Sequence, residues 1–218
     1  MGSPVSGYNR VRDEDPQHQV TISKPFYLGV TEVTQAQLKA VMATEPWKGR
    51  PFAKEGGENA ASYVSWDDAA AFCRKLSQKS GRALRLPTEA EWEYACRAGS
   101  KTKYCFGDDD SKLGGYAWYN KNAWNVGEQY AHRVGQKKAN TWGLYDMHGN
   151  VLEWCQDWYG AYPSSATTDP VGPPSGSYRA VRGGSWFNDA RYCRSAVRSY
   201  YSPELRNAAT GFRLARTQ

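Results

Sequence analysis

The sequence predicts an α+β protein with much irregular structure, and three observations carry that prediction. Between residues 34 and 99, three segments set an N-capping pattern ahead of helical periodicity. Residues 20–34, 178–187 and 209–216 are strand-like runs rich in β-branched and aromatic residues. After residue 100 helical periodicity becomes scarce, and Trp, Gly and Asn dominate a stretch that reads as turns and short strands. At 218 residues the chain is long enough for one large domain or two small ones. With no linker and no repeat, the expectation is a single domain over residues 1–218.

The elements follow in order. "VTISKPFYLGVTEVT", residues 20–34, alternates and reads as strand. Thr34 with Gln37 makes a capping box for a short helix whose apolar face is Leu38, Val41 and Met42. A loop rich in Gly, Pro and Glu runs to about residue 61. Ser65 with Asp68 starts a second helix, with Ala69, Phe72, Cys73 and Leu76 as its stripe and Gly81 as its stop. Thr88 with Glu91 starts a third, with Trp92, Ala95 and Cys96 inward and Gly99 as its end. On these stripes Cys73 and Cys96 read as small core hydrophobes.

The aromatic content is high, with 9 Trp, 15 Tyr and 6 Phe, which suits both cores and binding surfaces. The net charge is +6, yet most basic residues lie singly among acids. Only the last forty residues are Arg-rich and acid-poor, so buried arginine hydrogen bonds explain the charge better than a nucleic-acid footprint. No apolar run approaches the ~20 residues of a membrane span. The opening "MGSPVSGYNRVRDEDPQHQV" is polar and shows no signal peptide, so the chain is cytoplasmic by default or its N-terminus is trimmed. Five cysteines without a C-x-x-C pair argue against a disulfide framework or zinc ribbon, while one or two disulfides stay open.

Three stretches, "RLPTEAEWEYACRAG", "GLYDMHGNVLEWCQDWYG" and "RGGSW…RSAVRS…GFRLAR", resemble in order and spacing the formylglycine-generating enzyme (sulfatase-modifying factor) family. "KPFYLGVTEVTQAQ" and "YVSWDDAAAFCRKLS" match its earlier segments, so the resemblance covers nearly the whole chain. It implies a variant of the C-type lectin fold: two to three helices, a small twisted antiparallel sheet and long irregular loops. The family's usual strand ahead of "MGSP" is missing, which implies a trimmed chain.

Family enzymes bind copper(I) through two cysteines and use oxygen to convert a sulfatase cysteine to formylglycine. Counting from Gly183-Gly184-Ser185-Trp186, their first cysteine falls on Asn188 and their second on Cys193. Counting from Arg198-Ser199, the register slips and Cys193 loses that match too. Either way the pair is broken. Copper(I) is soft and prefers thiolates, and an amide is a hard, weak donor for it. Cys193 alone could act as a nucleophile with a lowered pKa, which Arg191 and Arg194 could supply. Its plainer reading is structural, either buried or paired with Cys96 or Cys155.

"DMHGNVLE" is the second constellation the resemblance picks out. It implies a calcium site in which Asp146 and Glu153 give carboxylates while Gly149 and Val151 give carbonyls, as a hard cation requires. Alternatively, both acids satisfy backbone donors. His148 reads as a hydrogen-bonding turn residue. The family's other calcium site, near "AWYNKNAWNVGE", is poorly matched.

The C-terminal segment mixes aromatics and small polar groups in the manner of a paratope. Its candidate ligand contacts are Phe187, Asn188, Asp189, Tyr192, Val197, Ser199, Tyr200, Tyr201, Glu204, Leu205, Ala208, Ala209 and Thr210, in a variable segment of about 182–216. Placed between "RGGSW" and "GFRLAR", it resembles the variable proteins of diversity-generating retroelements. In those, template asparagine codons are randomised at their adenines, and Phe, Asp, Tyr, Val, Ser, Ala and Thr are all reachable that way. The resemblance implies a non-catalytic module that binds a protein or other macromolecule through this surface. The alternative is a copper- and oxygen-dependent oxidase or a related metal-dependent oxygenase.

Overall fold

The computed structural model of the chain describes residues 1–3 and 12–218; the rest of the polar opening segment lies outside them. Its α-helices are α1 (Gln35–Met42), α2 (Trp66–Ser80) and α3 (Glu89–Arg97). All three start as the sequence predicts. The side chains of Thr34, Ser65 and Thr88 accept from the backbone N–H three residues on, and Gln37, Asp68 and Glu91 accept in return from the cap N–H. Gly81 ends α2 with φ 67°, but α3 ends one residue before the expected Gly99, because Ala98 itself takes the left-handed conformation at φ 45°.

Among the described residues there are nine short strands, in chain order: β1 (Val20–Thr21), β2 (Phe26–Leu28), β3 (Leu84–Arg85), β4 (Leu152–Trp158), β5 (Thr167–Thr168), β6 (Arg179–Arg182), β7 (Arg198–Tyr201), β8 (Thr210–Gly211) and β9 (Ala215–Thr217). They form a β1-β5 pair, a β2-β9-β3 sheet and a central β7-β6-β4-β8 sheet. The central sheet is mixed and not purely antiparallel, since β4 and β8 run parallel.

The expected strands are shortened where glycines intervene. The run at 178–187 stops at Arg182 because Gly183 and Gly184 turn the chain with φ 100° and 71°. β3 and β7 lie outside the runs that read as strand, and β4 lies in the stretch that reads as turns and short strands. Leu152 to Cys155 are all buried, so β4 is covered on both faces and shows no alternation.

The main core joins Leu38, Trp47, Phe72, Trp154, Val181 and Phe212. Phe72 of α2 meets Phe212 edge-on at 5.3 Å. A second cluster packs Trp92, Ala95 and Cys96 of α3 against Cys155 and Ala180 of the sheet. Met42 and Leu76, expected on the inner faces, are partly buried against the main core.

Four arginines of the C-terminal third are buried and paired. Arg182 reaches Glu93, Arg194 Glu14, Arg198 Glu89 and Arg213 Glu153. Two of these acids lie on α3, so the pairs tie that helix to β6 and β7. Burial disfavours the charge of Glu93, but Arg182 and Arg97 hold its carboxyl below its ordinary value. All five cysteines are free thiols, so Cys193 does not pair with Cys96 or Cys155.

Candidate functional site

The Gly183-Gly184 turn sets the geometry of the site. Gly184 lies against Cys193: a Cβ built on it would fall 2.7 Å from the sulfur. The turn brings Ser185, Asn188 and Cys193 together. Ser185 Oγ is 2.7 Å from Asn188 Oδ1, and the Cys193 thiol leans on the Asp189 carbonyl at 3.6 Å. Cys193 is fully buried, and desolvation pushes its thiol well up, so it is held as a thiol and not as the nucleophilic thiolate. Arg191 and Arg194 do not activate it. Arg194 is committed to Glu14, and Arg191 is exposed beside Asp189.

His148 lies directly beneath. Its Nδ1 is 2.8 Å from the Cys193 carbonyl and its Nε2 accepts from Cys105 N–H at 3.1 Å. Both nitrogens are thereby used. Among the described residues, no group of three or more His, Cys, Asp or Glu side chains is arranged to hold a metal ion. An amide locked to a serine beside a buried thiol does not fit a copper(I) bis-thiolate.

The candidate ligand contacts separate into two groups. Phe187 and Asp189 are exposed, and Asn188 and Tyr192 half-buried. Phe187 stands edge-on to Trp124 at 5.5 Å, and Phe52 approaches both Trp124 and Trp186. Asn120 hydrogen-bonds Asp189 and the Asn188 carbonyl, and Ala209 packs against the same cluster. The second group lies on β7, the sheet edge, where half-buried Ser199 and Tyr201 flank exposed Tyr200. Tyr200 packs against Tyr159 and Tyr178. Glu204 is exposed and Leu205 half-buried in the turn that follows.

Three candidates do not reach the surface. Val197 and Ala208 are buried, and Thr210 is fully enclosed in β8 opposite Leu152. Phe52, Trp124 and Asn120 escaped the sequence reading because they are remote in the chain. A cluster of exposed aromatics in irregular segments was the only available signal.

The "DMHGNVLE" loop turns tightly. Asp146 and Asn150 both take positive φ, and a Cβ on Gly149 would strike the Trp118 carbonyl at 2.2 Å. Asp146 and Glu153 are buried but differently engaged. Glu153 accepts from Trp92 Nε1 at 2.7 Å and from Arg213 Nε and Nη2 at 2.6 and 2.7 Å. Asp146 Oδ2 accepts from Gly135 N–H, while its Oδ1 and both oxygens of buried Glu32 have no partner. Burial raises the Glu32 and Asp146 carboxyls; the charges of Asp146 and Glu153 raise Glu32 further, whereas Gly135 N–H, Arg213 and Glu32 oppose the rise at Asp146. The expected calcium ligands therefore fit in part. Asp146 has a free oxygen for a hard cation, whereas Glu153 is already neutralised by Arg213.

Glycine turn, serine, broken cysteine pair and buried acid loop, set on this sheet and helix arrangement, define a domain of the formylglycine-generating-enzyme type with C-type lectin architecture. The chain belongs to the sulfatase-modifying factor enzyme 1-like domain family, which it matches over residues 1–218.

It is 38% identical over 166 residues to the formylglycine-generating enzyme of Streptomyces coelicolor, covering 70% of this chain and 51% of that protein. It is 32% identical over 214 residues to that of Bos taurus, covering 85% and 55%. The chain thus spans about half the length of these curated relatives. Among solved structures, Treponema denticola variable protein 1 is similar at 35% identity and TM-score 0.81, over 88% of this chain and 84% of that one. PvdO from Pseudomonas aeruginosa is similar at 31% identity and TM-score 0.88, over 100% and 90%. No helix among the described residues is long and apolar enough to cross a membrane.

Proposed function

We propose that this chain is a non-catalytic ligand-binding module whose C-terminal surface is diversified as in retroelement variable proteins. One observation carries the reading. Where the family's enzymes place a first thiol, Asn188 hydrogen-bonds Ser185, and the remaining thiol of Cys193 is sealed from solvent. The likeness to a variable protein of the same fold supports it. The ligand surface is Phe187, Asn188, Asp189 and Tyr192 with Phe52, Asn120 and Trp124. Aromatic anchors beside adaptable amides suit a protein or other macromolecular partner. Calcium held by Asp146, with Glu32 as the second carboxylate, would be a structural ion of the scaffold.

The likeness to curated formylglycine-generating enzymes favours a second reading, a copper- and oxygen-dependent oxidase. A turnover assay separates the two. Folded protein is incubated with copper(I), oxygen, a thiol reductant and a sulfatase-motif peptide, and the peptide mass is read. No conversion is expected. Conversion that disappears in Cys193→Ser would overturn the binding-module reading.

A further inference from the structure

Away from the glycine turn, a cavity of ≈ 450 Å³ is lined by Lys54, Trp118, Glu128, Tyr130, His132 and Arg133, among others. That size suits a small molecule. Its wall is a stack of rings. Trp118 lies flat on His132 at 4.0 Å and 7°, and Tyr130 approaches the imidazole at 4.6 Å. His132 is only 4% exposed, yet its Nδ1 has no hydrogen-bond partner, and neither does the Trp118 indole N–H. Both are buried polar atoms of the kind a protein normally satisfies.

The polarity of these two atoms follows from chemistry. The indole nitrogen can only donate. Glu128 Oε2 stands 3.1 Å from His132 Nε2, and a carboxylate only accepts, so Nε2 carries the proton and Nδ1 presents its lone pair. Burial lowers the His132 pKa and keeps the ring neutral, although Glu128 opposes this. The wall therefore holds one unpaired donor and one unpaired acceptor, both enclosed, on two stacked rings. The charges around it are mainly positive. Lys54 and Arg133 line the opening and are exposed, and Lys137 Nζ sits 3.7 Å over the Trp118 ring. Their counter-charge is Glu128, which is committed to the imidazole. The faces of Trp118 and Tyr130 are already covered by His132, Lys137 and Lys54, so a ligand meets edges and cations and has no bare ring to stack on.

We propose that this cavity binds a small hydroxycarboxylate, its carboxylate drawn by Lys54, Arg133 and the Trp118 indole N–H and a hydroxyl donated to His132 Nδ1. A neutral polyol lacks the anion, and a bare carboxylate lacks the donor. Its lining shares no residue with the proposed C-terminal surface, so failure here leaves the proposed module intact.

The test titrates the full chain with sodium glucuronate and, separately, citrate at matched ionic strength. NMR follows the His132 imidazole and the Trp118 indole N–H, assigned with His132→Phe and Trp118→Phe. Glucose is the uncharged control. A saturable shift of both signals with at least one acid is expected, with none from glucose. The exposed double variant Lys54→Gln/Arg133→Gln, checked for an unchanged melting curve, is expected to weaken binding at least tenfold. Absence of a saturable shift with either acid would overturn the proposal, as would an equal shift with glucose or undiminished affinity in the double variant.

Discussion

At the scale of single residues, burial decides what the cysteines can do. Cys193 is enclosed while Cys105 is half-buried, so brief maleimide labelling of the native protein is expected to modify Cys105 and spare Cys193, read by peptide mass. Sequence alone shows Cys193 among polar neighbours and two arginines; that Gly184 closes over the sulfur is a property of the turn, legible only in three dimensions. Asp157 offers a pH test. It is 4% exposed, and burial, aided by Glu89, raises its carboxyl from 3.8 to about 7. A raised acid favours the fold when protonated. Its contribution is full below the unfolded value and is lost as pH climbs from about 4 to about 7. Asp157→Asn keeps the acceptor that holds Glu89 N–H and removes the titration. Urea denaturation across this window should show the variant's stability falling less steeply than wild type, by up to a few kcal/mol.

At the scale of elements, helices were the legible part because each carries its signal locally. Thr88→Ala removes the side-chain half of one capping box, leaving Glu91 to accept from the backbone N–H of residue 88, and is expected to cost about 1 kcal/mol, read from denaturation midpoints. Strands were legible only in part, because β4 is buried on both faces and β7 is defined by its pairing with β6 and not by its own alternation. The acid loop shows the same division. Glycine at 149 was foreseen, whereas the capture of Glu153 by Arg213, sixty residues away, was not. Glu153→Gln leaves a buried guanidinium unpaired and is expected to cost about 3–5 kcal/mol whether or not calcium is present. If Asp146 and Glu32 hold calcium, added calcium raises the melting temperature of wild type, and Asp146→Asn abolishes that rise. A calcium response unchanged in Asp146→Asn would remove the ion from this loop.

At the scale of the whole molecule, half the arginines of the C-terminal third are internal. Arg182, Arg194, Arg198 and Arg213 meet glutamates inside the protein and not a solvent-facing stripe. The family and its fold were legible across the chain because five separated segments keep their order. The proposed ligand surface was only half legible, since Phe52, Asn120 and Trp124 join Phe187 through folding alone. Phe187→Ala is expected to leave the melting curve within about 0.5 kcal/mol of wild type while abolishing capture of a ligand selected on the native surface. The arginine pairs at Arg182, Arg194 and Arg198 bracket the exposed stretch Phe187–Tyr192. Substitution at the brackets leaves a buried charge unpaired, whereas substitution at Phe187, Asp189 or Arg191 alters the outer face. In a saturation library scored for folding, the exposed positions 187, 189 and 191 should form an island of tolerance between intolerant arginines, so the chemistry of the proposed ligand face can change without unfolding the chain.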